Sequence, residues 1–214
     1  SGQKTVAVAV TTHLAAHPVS LADVHVQITS LDEMRAALDS LPPGLALFTG
    51  PPANRDRVGA VPGEALEALH ETCARQGMPL FLEADGSNLR PLKAPRAHEP
   101  ALPPWVDRVV VVAGLVGLGK PLDAEWVFQP EIFATLSGLE LREPVTPEAL
   151  VRVLTHPEGG LKGIPEESRR VVLMTGAYTA SLQAAGGRIA TRLTGAYDAV
   201  LIAEVPDPPP GGGG

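Results

Sequence analysis

Short apolar runs alternate along this chain with segments whose apolar residues recur every three to four positions, the pattern of strands alternating with amphipathic helices. Lys4 to Val10 is small and β-branched and predicts a strand that delivers Thr11, Thr12 and His13 at its end. Val24 to Thr29 alternates like a more exposed strand, and Ser30 with Glu33 forms a capping box ahead of Met34, Ala37, Leu38 and Leu41. Leu45 to Phe48 predicts a further strand, broken by Gly50-Pro51-Pro52. Pro62 then opens a helix carrying Leu66, Leu69 and Cys73, which Gly77 closes.

Pro79 to Ser87 holds the densest chemistry. An apolar run ends in Glu83 and Asp85 and opens into a proline-rich segment bearing Arg90, Lys93, Arg96, His98 and Glu99. A strand that persisted to Asp85 would send both acids to one side, at the carboxyl edge of a sheet, where open α/β sheets bind ligands. Two carboxylates there suit a hydrated Mg²⁺, which takes one or two protein carboxylates and completes its shell with water and substrate phosphates. The plainer alternative is that the two acids only cap the next segment.

Beyond that segment, Arg108 to Ala113 is a continuous apolar run of the kind found in parallel strands buried on both faces. Thr146-Pro147 starts a helix through Leu150, Val153 and Leu154, followed by a strand at Arg170 to Met174, a helix around Ala180 to Leu193 and a strand at Ala199 to Ala203. The order predicts an α/β fold: a mostly parallel sheet with helices on both faces, as one domain over 1–205. The tail from Pro206 to Gly214 is Pro and Gly apart from Asp207 and is expected to be disordered.

Composition narrows the function classes. A formal net charge of -7 argues against a non-specific nucleic-acid binder, which needs a net basic surface. Cys73 is the single cysteine, so neither a disulfide framework nor a thiolate zinc site is expected, and Cys73 reads as a small buried hydrophobe. No stretch approaches the length of a membrane span and no signal-peptide pattern opens the chain, so a cytoplasmic location is expected.

Two glycine-lysine segments imitate a phosphate-binding loop. Gly114 to Lys120 follows a strand and has the right glycine spacing, but Pro121 stands where the hydroxyl residue belongs and no long helix follows. It reads as a loop, from which Lys120 still faces a ligand in the functional alternative. Gly2 to Thr5 runs straight into a strand and reads as a turn.

Taken together, Thr11-Thr12-His13, Glu83-Ala84-Asp85-Gly86-Ser87, Arg90 to Pro95, His98-Glu99-Pro100, Leu118 to Leu122 and Gly160 to Pro165 resemble the YqeC-type family. The resemblance runs to about Met174. It implies a P-loop NTPase-like, three-layer fold and an accessory role in maturing selenium-dependent molybdenum hydroxylases. Glu83 and Asp85 would then act on Mg²⁺, with Asp85, Glu83 and His13 as the catalytic set. Thr11, Thr12, Ser87, Arg90, Lys93 and Lys120 would approach the phosphates of ATP or GTP, with His98, Glu99 and Lys162 as further site candidates. The expected partners are a nucleotide, a molybdenum hydroxylase or its pterin cofactor, and neither nucleic acid nor membrane.

The chain departs from the family pattern in three places. The strand, Gly-Lys-Thr loop and helix that open family members are missing ahead of Ser1, so a chain that starts before Ser1 or a truncated relative is expected. Phe128-Gln129 replaces a frequent His-Arg, and no guanine-reading motif follows Met174.

Several alternatives stay open on residues alone. Arg90, Lys93, Arg96 and His98 make either a phosphate-binding cluster or a solvated loop, and His13 is either a ligand contact or a hydrogen-bonded structural histidine. Trp105 and Trp126 read as packing residues. A non-hydrolysing module that binds a cofactor or a client enzyme is the second functional reading.

Overall fold

The computed structural model describes residues 5–12, 14–15, 17–55 and 57–205. They divide into two compact units, Ser1–Gly86 and Ser87–Gly214, with the boundary inside the stretch expected to be one domain. Each unit has its own main parallel sheet and a smaller second one, so the α/β class read from the sequence is the class observed, with the described strands divided among four sheets.

The first unit is built from β1 (Thr5–Val10), β2 (Leu14–Ala15), β3 (Val24–Gln27), α1 (Leu31–Asp39), β4 (Gly44–Thr49), β5 (Pro52–Asn54), β6 (Arg57–Val58), α2 (Gly63–Gln76) and β7 (Leu80–Glu83). Its main sheet runs β3-β4-β1-β7, all parallel, which puts the carboxyl ends of β1 and β7 side by side. Ala7, Ala9 and Phe48 are buried from the strands, and Met34, Leu38, Leu69 and Cys73 from the helices. Burial pushes the Cys73 thiol up to about 11, as expected of an inert core cysteine.

The helix limits follow local chemistry. Ser30 Oγ accepts from the Glu33 N–H (3.3 Å), while the Glu33 carboxylate reaches back to the Thr29 N–H (3.0 Å) and hydroxyl (2.5 Å). This capping box is shifted one residue outward on its return bond. Gly77 closes α2 in the left-handed region (φ 62), where a side chain would be strained. Sequence reasoning missed the small antiparallel sheet β2-β6-β5, whose strands are too short to show a period.

The second unit contains β8 (Leu92–Lys93), β9 (Arg108–Gly114), β10 (Val127–Phe128), α3 (Pro130–Ser137), α4 (Pro147–Thr155), β11 (Arg169–Thr175), α5 (Ala180–Leu193) and β12 (Ala199–Ile202). The parallel sheet has the order β12-β11-β9, and β8 pairs in parallel with β10. Its core gathers Ala113, Leu115, Leu122, Phe133, Leu150, Leu154, Val172, Met174, Ile189 and Leu193.

One expectation is corrected here. The apolar run of β9 is not buried on both faces, since Val110 is 46% and Val112 59% exposed. The strand ends its three-stranded sheet, and the core packs on the face carrying Val109, Val111 and Ala113. The alternate face is left to solvent.

Gly114 fixes the proline-rich segment to the end of β9. Its N–H donates to the Pro91 carbonyl (2.7 Å), and a Cβ there would lie 2.8 Å from Pro91 Cβ. Among the described residues no helix is long and apolar enough to cross a membrane.

Candidate functional site

β1 and β7 are adjacent parallel strands in register Val10↔Glu83, so both end at one edge of the first unit's sheet. The Thr11 N–H donates to the Glu83 carbonyl (3.0 Å), and the Thr11 hydroxyl donates to the same oxygen (3.3 Å). The first of the two sequence-derived hydroxyl residues is thereby joined to the backbone of the first acid. Glu83, Asp85, Thr11 and Thr12 are all half-buried, which keeps them accessible while limiting bulk water.

Asp85 differs from the expectation in one respect. β7 ends at Glu83, so strand alternation does not carry on to Asp85, which lies in the coil that follows. The ladder stops because β7 pairs with β1 only as far as Val10. The chain then passes Gly86, where a Cβ would be 3.9 Å from Glu83 Oε1. The Glu83 carboxylate thus lies back over its own turn. His13 falls outside the described residues.

This donor set suits Mg²⁺ better than a soft metal. Carboxylate and hydroxyl oxygens are hard ligands, and Mg²⁺ needs few from the protein when phosphates and water supply the rest. No group of three or more His, Cys, Asp or Glu able to hold a metal occurs among the described residues.

In the second unit the basic segment resolves into groups with separate duties. Ser87, Asn88, Leu89 and Arg90 form a tight turn, closed by the Arg90 N–H donating to the Ser87 carbonyl (3.1 Å). Asn88 (φ 51) and Leu89 (φ 62) are both left-handed, the geometry of a type I′ turn. Leucine is a strained choice at that position. Leu89 is also 61% exposed, so packing does not account for it.

Lys93 and Glu99 form an ion pair at 2.9 Å, with side chains 11% and 10% exposed. The Arg96 N–H also donates to Glu99 Oε2 (3.0 Å), and the Glu99 N–H returns a bond to the Arg96 carbonyl (3.0 Å). Burial pushes against the Glu99 charge. The Lys93 hydrogen bond, the Arg96 backbone donor and the charges of Lys93 and Arg96 outweigh it and hold the carboxyl below its usual range.

Phe128 sits between two cations, with Lys93 Nζ 5.1 Å and the Arg96 guanidinium carbon 4.9 Å from its ring centroid. With the Gln129 amide turned so that its oxygen faces Arg96, that oxygen accepts from Arg96 Nε (3.1 Å) and Nη2 (3.0 Å). From the other side, Lys162 Nζ donates to the carbonyls of Arg96 (2.7 Å) and Ala97 (3.2 Å). Glu99, Lys93 and Lys162 therefore hold the loop at 96–99 in shape, while His98 is exposed at its tip.

Lys120 lies 4.3 Å over the Trp126 ring. The segment before it closes as a short 3-10 turn at Leu115–Gly117, and Pro121 bridges to Pro144, so no phosphate-loop helix follows the glycines. Arg90 has a different setting. Its Nε donates to the Ala124 carbonyl (3.0 Å) and its Nη1 to the Asn88 carbonyl (2.6 Å), and it lines a surface cavity of about 270 Å³ with Gln129 and Glu131. Sequence reasoning did not single out Glu131, which lines this cavity from the first turn of α3, although Pro130-Glu131 opening a short apolar helix was a visible signal.

Comparison with known proteins gives one family. The family model described as YqeC protein matches residues 1–131, from the strand that delivers Thr11 to the first turn of α3. The uncharacterized protein YqeC of Escherichia coli (strain K12) is 35% identical over 119 residues, which is 56% of this chain. The match spans 46% of that relative, about half its length. No solved structure matched the chain.

Proposed function

The chain belongs to the YqeC family, and from that membership we propose an NTP-dependent accessory protein that helps mature selenium-dependent molybdenum hydroxylases. In this reading Glu83 and Asp85 hold a hydrated Mg²⁺, which would screen the phosphate charges of ATP or GTP. The Thr11 and Thr12 hydroxyls contact the phosphates at the same sheet edge. His13, at the end of that segment, completes the catalytic set.

The observation that carries this reading is the junction of β1 and β7, where Thr11 is tied to the Glu83 carbonyl at the carboxyl edge of a parallel sheet. Arg90 contacts the phosphates or a second, anionic substrate. Lys93 acts indirectly, because Glu99 already neutralises it.

Calorimetric titration with ATP and GTP, with and without Mg²⁺, tests the assignment. Mg²⁺-dependent binding that Asp85→Asn abolishes is the expected result, and binding unchanged by that substitution would sink it.

A second reading, a non-hydrolysing module for a pterin-type cofactor or a client enzyme, is favoured by the closed glycine turn ahead of Lys120. That turn offers no helix N-terminus to a phosphate. Binding of a molybdopterin nucleotide without Mg²⁺-dependent triphosphate binding selects this alternative.

A further inference from the structure

Arg90 and Glu131 carry opposite charges and line one cavity, and among the described residues no ion pair joins them. The reason is that each is held by its own element. Two backbone carbonyls fix the Arg90 guanidinium at its Nε and Nη1. Three of its N–H groups remain without a partner among the described residues. Glu131 is set by the first turn of α3, and its exposed carboxylate has no partner among the described residues.

A cation aimed by two carbonyls and an exposed carboxylate lining the same small space make a dipolar receptor. A simple anion placed there would gain from Arg90 and lose to Glu131, and a simple cation would do the reverse. A molecule with both charges close together gains at both ends.

Size limits the choice further. At about 270 Å³ the cavity falls just below the ~300 Å³ at which pockets for drug-sized ligands begin. It has room for about nine waters at ~30 Å³ each. A molecule of a few heavy atoms fits within it. Val127, Phe128 and Pro130 give the cavity an apolar side on which a small substituent would rest.

The strained turn adds to this reading. Leu89 pays a left-handed conformation beside Asn88 and Arg90 without burying its side chain. Strain of this kind persists where geometry serves a site. The tight turn is what brings the Asn88 carbonyl within 2.6 Å of Arg90 and so aims the guanidinium.

We propose that this cavity binds a free α-amino acid of small side chain as its zwitterion, with the carboxylate on Arg90 and the ammonium on Glu131. The proposal deepens the proposed function at Arg90, the residue given there to a second substrate, and its test is run without nucleotide so that it fails or holds independently of Glu83 and Asp85.

The test is titration of the full chain, without nucleotide, with glycine and L-alanine, followed by calorimetry or by NMR of the ligand, with acetate and methylammonium as single-charge controls. Both amino acids should bind saturably and more tightly than either control. Arg90→Lys should weaken the amino acids and acetate about tenfold, because a point charge replaces a bidentate fork. Glu131→Gln, at an exposed position that leaves the fold intact, should weaken the amino acids about tenfold while strengthening acetate. Absence of saturable amino-acid binding overturns the proposal. So does amino-acid binding that survives Glu131→Gln undiminished, or acetate binding as tight as that of glycine.

Discussion

Lys93 with Glu99, and Arg90 with Glu131, are two acid-base sets in the same unit, and they end in opposite states. The first is closed: a 2.9 Å pair with both side chains about nine-tenths buried and a second donor from Arg96. The second is open: a guanidinium aimed by two carbonyls and a carboxylate left at the rim of a cavity. Charge type does not distinguish them. What does is whether the backbone turns the opposite charge inward, as the turn joining Glu99 N–H to the Arg96 carbonyl does.

The closed set should break at the greatest cost. Glu99→Ala leaves Lys93 charged and buried, and is expected to destabilise the second unit by about 3 kcal/mol in urea unfolding. Replacing both, Lys93→Met with Glu99→Leu, should restore most of that loss. Equal destabilisation by the single and double variants would show that the pair itself is not what matters.

Acid should loosen the same set next. The Glu99 carboxyl titrates below its ordinary value of about 4.3. Its contribution is therefore complete above that ordinary value and is lost as pH falls through the lower, folded value. Stability followed downward from neutral pH should drop more steeply in the wild type than in the double variant. The open set predicts no such difference.

The open set should respond weakly or in the opposite direction. Leu89→Gly relieves the left-handed strain and should raise stability by about 0.5 to 1 kcal/mol, after allowing for the extra freedom glycine gives the unfolded chain. If the strain serves the cavity, the same change should weaken ligand binding there. Glu131→Gln should cost only about 0.3 kcal/mol, the loss of an acid in the first turn of α3. A large loss would show that Glu131 is structural.

Reading the chain unaided worked where local rules decide. The neighbouring strand ends at Thr11 and Glu83 were legible because each ends an apolar run, and parallel neighbours share one edge. The Ser30 cap and the Gly77 stop depend on only a few residues each. That the strand stops at Glu83, short of Asp85, was not legible, because the period gives no sign of where pairing ends, and that depends on the length of β1.

The destinies of Lys93 and Lys162 were illegible for a different reason. Their partners are set by a turn and by contacts across 66 positions of sequence. The exposed residues of β9 misled in the same way, since a valine run looks identical whether one face is covered or two.

Val110 and Val112, bare on one side of β9, bear on how the protein behaves in bulk solution. Apolar surface of this kind draws molecules together, and with a net charge of -7 mutual repulsion keeps them apart. That repulsion has a range of only about 8 Å at physiological salt, and it vanishes near the isoelectric point of about 5.3. Dispersed solutions are thus expected at neutral pH and low salt, with clouding near the isoelectric point, above the pH at which Glu99 loses its charge. Light scattering alongside the acid titration would separate the two events, and Val112→Thr should shrink the first and spare the second.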